Sequence, residues 1–251
     1  MERGESYVAG AAALNAFSTS ARVSRDIDLF HDTAVAVEAS WQADRALLES
    51  HGCELEVLRR YPGFIEAVAR RSGEAVAFQW AQDSAFRFFP LVEHEALGLT
   101  LHPVDLATNK VLALVGRLEV RDWVDVMTSD EAIQPLGYLA WAASGKDPGF
   151  SPAAILEQAA RSSRYSQAEV SSLSFRGETP DAGELSRRWR RILDEARRIV
   201  EMLPPDDAGT CVLDEHGLLL KETADVLPEA LGKGRVLFHP GSIRGAWPRL
   251  R

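Results

Sequence analysis

At 251 residues, 46% apolar and 26% charged, the chain has ordinary globular composition and suits one large domain or two small ones. No run approaches the roughly 18 consecutive apolar residues of a membrane span, and the opening MERGES is too acidic for a secretory leader, so a soluble, cytoplasmic protein with no membrane partner is expected. A net charge of −9 argues against a general nucleic-acid coat, because affinity for phosphate grows with the number of Lys and Arg contacts. In chain order, YVAG reads as a short strand and AAALNAF after Gly10 as the start of a helix, with glycine permitting the turn between them. SRDIDLF is a strand on which Asp26 and Asp28 look one way while Ile27 and Leu29 look the other. Two like charges that close together are unfavourable unless they share a cation, and a hard divalent ion with oxygen ligands suits them. A helix over DTAVAVEASWQADRALLESHG takes Asp32 as candidate N-cap, with Val37, Trp41 and Leu48 at helical spacing and Gly52 as stop.

CELEVL alternates as a strand, PGFIEAVARRSG reads as a short helix closed by Ser72 and Gly73, and strands follow near EAVAFQW and around AFRFFPLV. After Pro103, Asp105 is placed to cap the helix LATNKVLALVGR, on which Leu106, Lys110, Ala113, Leu114 and Arg117 share a face. RDWVDV comes next. Beyond about residue 129 the pattern turns helical, in PLGYLAWAAS, SPAAILEQAARSS and ELSRRWRRILDEARRIVEML. The last has an apolar stripe of Leu185, Trp189, Ile192, Leu193, Ala196, Ile199, Val200 and Leu203 that ends at Pro204 and Pro205. CVLDEHGLLLK suggests a small hairpin. The expectation is therefore an α+β fold with a mixed sheet in residues 1–128, a mainly helical domain over 129–205, and an extension over 206–251. Residues 1–128 hold 12 basic against 19 acidic side chains and 129–251 hold 16 against 18, so a polyanion would more readily meet the second half. Cys53 and Cys211 lie far apart without a C-x-x-C or His-rich neighbourhood and read as structural thiols.

YVAGAAALNAF…RVSRDIDLF followed by DLATNKVLALVGRLEVRDWVDV resembles the AbiEii-type toxins of the polymerase-β-like nucleotidyltransferase superfamily, over roughly residues 7–128. The resemblance implies a polymerase-β-like nucleotidyltransferase domain that moves a nucleoside monophosphate from a nucleoside triphosphate to a hydroxyl and releases pyrophosphate. It implies that the turn at Gly10 and Ala11 holds the triphosphate, where backbone N–H groups at a helix start favour an anion. Asp26 and Asp28 would hold two Mg²⁺ ions that neutralise developing charge and activate the attacking hydroxyl. Lys110, one of only 4 Lys against 24 Arg, would contact the nucleotide phosphates, with Arg117 in support and Asp122 as a further essential acid. Ser24 and Arg25 flank the motif and are candidates for touching phosphate or ribose. Asp125 either shares that acidic face or caps or pairs with Arg121.

The turn here is Gly10-Ala11 where the family commonly has Gly-Gly or Gly-Ser. The superfamily's third carboxylate has no counterpart inside the EAVAFQW strand; Asp83 is the nearest acid, as metal ligand or as the start of a turn with Ser84. His31 either sits near the site or in a surface loop. Arginines 187, 188, 190, 191, 197 and 198 form a solvated face or contact RNA phosphate. The family's members imply an RNA acceptor, notably the acceptor end of tRNA, and an antitoxin partner. Two other readings remain: an enzyme modifying a small cationic acceptor such as an aminoglycoside, and a relative that binds a nucleotide or partner without catalysis.

Overall fold

Ser6–Ala9 (β1) runs without a loop into Gly10–Ala16 (α1), and the change of direction falls on Gly10 at φ +65°, a left-handed conformation that side chains rarely adopt. The computed structural model describes residues 6–18, 20–162 and 164–249, so all but the last residue of the MERGES opening lies outside the described residues. Asp26–His31 (β2) lies antiparallel to β1, with Asp28 opposite Ala9. Ala34–Ser50 (α2) is capped by Thr33 rather than by the expected Asp32: Thr33 is extended, and its hydroxyl accepts the Ala36 N–H at 3.2 Å. Glu54–Tyr61 (β3), Phe64–Arg71 (β4) and Glu74–Gln82 (β5) then form an antiparallel meander.

The segment PGFIEAVARRSG is thus a strand and not the expected helix. Its alanines favour helix, but Ile65, Ala67 and Ala69 are buried at period two, and β4 bonds to a strand on each side. Gly63 at φ +77° and Ser72-Gly73 at +53° and +83° supply the turns at its two ends. The single strand expected around AFRFFPLV is two: Phe86–Arg87 (β6) and Val92–His94 (β7), the latter paired with Gly98–Thr100 (β8). Among the described residues the main sheet has seven strands in the order β3-β4-β5-β2-β1-β8-β7, mixed because β2 and β5, and β1 and β8, run parallel. Rows of the register assign the faces. Leu29, Trp80 and Ile65 share one row, and they pack under α2 with Val37 and Trp41. The rings of Trp41 and Trp80 meet edge-on at 4.9 Å, and the Trp80 indole N–H donates to Asp44 at 2.8 Å. Asp28, Gln79 and Glu66 occupy the adjacent row and so project from the opposite face.

The helices follow: Pro103–Arg117 (α3), Val120–Ala132 (α4), Leu136–Lys146 (α5), Pro152–Ala160 (α6), Gln167–Ser171 (α7) and Ala182–Met202 (α8). Helix α5 is apolar all round and buried from Leu136 to Ala143 at the centre of this group, packing on α3, α6 and α8. The α8 stripe is buried at Trp189, Ile192, Leu193, Ala196 and Ile199, with Leu185 and Val200 half-buried. Asp105 does not cap α3: His102 does, and the Asp105 carboxylate instead accepts the N–H groups of Phe88 and Phe89 and pairs with Lys146 at 2.8 Å. Thr210–Asp214 (β9) was expected to form a hairpin with the sequence just after it. A short hairpin is present there, with Leu213 opposite Leu219 and backbone bonds from Asp214 N–H to Leu218 O at 2.8 Å and from Leu220 N–H to Val212 O at 3.2 Å, and β9 also pairs along its length with Val236–Pro240 (β10), beyond Leu227–Gly232 (α9). Ser242–Ile243 (β11) pairs with β6.

Contacts divide the chain into two units. The first comprises the described residues of Met1–Ala16, Ser24–Ala85 and Leu91–Leu101; the second comprises those of Phe17–Val23, Phe86–Pro90 and His102–Arg251. The division after Leu101 lies ahead of the boundary expected at 128, because α3 and α4 bury their apolar faces against α5, α6 and α8. Among the described residues no helix is long and apolar enough to cross a membrane.

Candidate active site

In the first unit, β2 carries Asp26 and Asp28 half-buried on one face of the sheet. Gly10 lies against Asp28. A Cβ added to Gly10 would stand 1.7 Å from Asp28 Oδ2 and 2.6 Å from its Cγ, so the backbone of the β1-to-α1 turn and the Asp28 carboxylate occupy space that no side chain at position 10 can share. Ala11 is buried in the first turn of α1, and the Ser24 hydroxyl donates to the Asp26 carbonyl at 3.3 Å. Arg25 is exposed. Because α1 has only seven residues, its dipole is short, and a close approach of anions depends on the bare backbone at Gly10.

The other sequence candidates of this unit are placed apart from the couple. Asp83 follows β5 and donates its N–H to the His31 carbonyl at 3.0 Å. The register sets Gln79 beside Asp28, so Asp83, four residues on, is displaced by about 13 Å of strand rise. His31 is the fully buried last residue of β2 and not a surface-loop histidine; burial pushes its pKa down. Among the described residues no group of three or more His, Cys, Asp or Glu is gathered to hold a metal. Two carboxylates with hard oxygen donors nevertheless fit Mg²⁺, an ion usually held by one or two carboxylates, with substrate phosphates and water completing its shell.

The second unit holds Lys110, Arg117, Asp122 and Asp125 in one ion network. Asp122 and Asp125 are 0% exposed. Asp122 accepts from Lys110 Nζ at 3.1 Å and from Arg117 Nε and Nη2 at 2.6 and 2.9 Å. Burial alone would push its carboxyl up, but the bonds and charges of Arg117 and Lys110 outweigh it and hold the pKa below the usual carboxylate range. Asp125 lies 3.2 Å from Lys110 Nζ and accepts a fork of two bonds from Arg22, at 2.6 and 2.8 Å. Of the two roles open to Asp125, it shares the acidic face with Asp122, while Arg121 pairs with Glu119 at 2.6 Å. Helix geometry explains the grouping: α3 presents Lys110 and Arg117 on one face, and the left-handed Leu118 turns the chain into α4, whose first two turns carry Asp122 and Asp125. Arg22 escaped the sequence reading. Its only signal was a basic residue just ahead of the aspartate strand, and its partner lies 103 residues away. Cys53 and Cys211 are free thiols, and burial raises the pKa of Cys211 well above its ordinary value.

No model of a protein family matches the chain, and no curated protein matches it in sequence. Solved structures do match in fold. MenT4, a nucleotidyltransferase toxin from Mycobacterium tuberculosis, superposes with a TM-score of 0.53 at 15% identity over 81% of this chain and 77% of its own. A protein from Helicobacter pylori described as a candidate nucleotidyltransferase gives 0.52 at 14% identity, over 80% of this chain and 90% of its own. JHP933 from the same organism gives 0.50 at 13% identity, over 79% and 86%. At these identities the likeness is one of fold: the α+β architecture with its mixed sheet is shared with nucleotidyltransferase structures.

Proposed function

We propose that this chain is a nucleotidyltransferase that moves a nucleoside monophosphate from a nucleoside triphosphate to a hydroxyl of RNA, with the acceptor end of tRNA as the target. The acceptor oxygen bonds to the α-phosphorus, the bond to the leaving pyrophosphate breaks, and the hydroxyl proton passes to solvent or a nearby base. The observation that supports this reading is the packing of the Asp28 carboxylate on the bare backbone of the Gly10 turn, with Asp26 on the same face of the strand. The missing side chain lets the Asp28 carboxylate sit directly against the turn, so that a hard-ion ligand and the bare backbone at the start of α1 would meet the same phosphate group. Asp26 and Asp28 would hold Mg²⁺, which when bound neutralises charge on the phosphate oxygens. The resemblance gives Lys110 a role at nucleotide phosphate; within its own unit Asp122 and Asp125 hold its ammonium in place, and Arg117 steadies Asp122.

The AbiEii-like motifs and the named toxin among the fold neighbours support a toxin role in the cytoplasm, restrained by an antitoxin. Incubation with each labelled nucleoside triphosphate, magnesium and total tRNA tests the proposal. Pyrophosphate release and label on RNA are expected, with both abolished by Asp26→Ala. Transfer undiminished by Asp26→Ala refutes the assignment of the couple, and label on an aminoglycoside in place of RNA refutes the acceptor.

A further inference from the structure

Two neighbouring grooves open along the first half of α8. The larger, of about 650 Å³, is lined by Arg164, Tyr165, Ser166, Glu169, Ser186 and Arg190 among others; the smaller, of about 390 Å³, includes Arg187, Arg188 and Arg191. The carboxylates on their walls are occupied. Glu169 is tied to Ser166 in a capping box at 2.7 Å, and Asp181 caps α8 by accepting the Glu184 N–H, also at 2.7 Å. Arg188 is engaged by Glu131 at 2.8 Å, and Arg187 lies 3.9 Å from Glu184. Arg164, Arg190 and Arg191 are exposed, and no carboxylate among the described residues lies within 4 Å of any of them.

Arg187, Arg190 and Arg191 are spaced i, i+3 and i+4, so their guanidinium groups are neighbours on one helix face and repel one another. A repulsive basic cluster on a chain of net charge −9 is complementary to an anion that spans several positive groups. The grooves contain none of the exposed large apolar side chains of the chain, such as Leu58, Tyr61 or Trp247, whereas a protein interface centres on aromatic or aliphatic anchors. The larger groove is also joined to the ion network of the same unit. Its Tyr165 donates its hydroxyl to the Leu118 carbonyl at 2.5 Å, at the turn between Arg117 and Asp122, and packs its ring on Trp123 at 5.0 Å.

We infer that the face formed by Arg164, Arg187, Arg190 and Arg191 is the docking surface for the phosphate backbone of the RNA acceptor; this rests on the transfer reading above. Phosphate contacts of this kind set affinity and position without reading sequence. The test is the anisotropy of fluorescently labelled tRNA titrated with the full chain over a range of salt concentrations. For a single strand the logarithm of affinity falls with that of salt by about 0.7 per neutralised phosphate, so loss of three contacts flattens the slope by about 2 and weakens binding about 100-fold at 0.1 M salt. That result is expected for Arg164→Ala/Arg190→Ala/Arg191→Ala, whose three side chains are exposed; an unchanged circular dichroism spectrum checks its fold. Unchanged affinity and slope overturn the proposal, as does absence of RNA binding by the parent chain. Loss of binding to an acidic peptide with RNA binding intact also overturns it and makes the face a protein site. Transfer activity separates the two claims: RNA bound through this face without any nucleotidyl transfer would sink the catalytic reading alone, and transfer with the arginines irrelevant would sink only this one.

Discussion

Replacing Gly10 by alanine adds one methyl at the point where the chain is least able to take it. The left-handed φ of +65° costs an alanine about 1–2 kcal/mol, partly offset by about 0.4–1 kcal/mol from a stiffer unfolded chain. The new Cβ would stand 1.7 Å from Asp28 Oδ2, against an ordinary carbon–oxygen contact of about 3.3 Å, so the carboxylate or the turn must retreat by about 1.6 Å. A displacement of about 1 Å at a reacting centre is enough to cost about 100-fold in rate. Gly98→Ala is the matched control, because Gly98 also has a left-handed φ, of +70°, but its Cβ would meet nothing within 4 Å. Both variants should lose a few degrees of melting temperature from backbone strain, Gly10→Ala more because its clash with Asp28 adds to that strain. Gly10→Ala alone should lose at least about 100-fold in kcat/KM for nucleotidyl transfer and weaken magnesium-dependent nucleotide binding by calorimetry. If the two variants transfer label equally well, the cradle of Gly10 and Asp28 plays no part in the chemistry.

Arg22→Ala leaves the fully buried Asp125 with Lys110 as its remaining ionic partner, so unfolding in denaturant should show a loss of about 3–5 kcal/mol. Arg45→Ala breaks a pair in which both side chains are 48% exposed and should cost less than about 1 kcal/mol; equal losses would refute the buried-network account. His102 gives an acid-side signature. Burial pushes its pKa down from 6.5 to about 4, with His239 acting in the same direction and Asp105 opposing. Between those values the unfolded chain binds a proton that the native one does not, so stability falls as pH drops through that window, by about 3 kcal/mol from this group. His102→Asn keeps a capping side chain without the titration. Its pH profile over the same window should be flatter than that of the parent chain, and a parallel profile would show that His102 is not desolvated as described.

Local chemistry accounts for the elements that were legible in the sequence. The β1-to-α1 turn depends on one glycine, the aspartate couple on the period of a strand, and the facing of Lys110 and Arg117 on the period of a helix. The apolar stripe of α8 likewise followed from spacing alone. The errors share a cause. The segment now seen as β4 has the composition of a helix, and strands on both sides override it. Asp83 directly follows the strand that pairs with β2, but the register sets it four residues beyond the row of Asp28.

The sequence by itself therefore determined which side chains are candidates for the proposed transfer: a bare turn, two carboxylates on one edge, and a rare lysine followed by an arginine and two acids. Only the tertiary structure decided how they are held. It put Gly10 against Asp28, paired Asp125 with Arg22, and assigned α3 and α4 to the helical unit. Those outcomes depend on strand register and on the burial of charged groups among partners far away in the chain. Residue type and spacing carry periodicity and backbone preference, whereas the partner that satisfies a buried charge is chosen by packing.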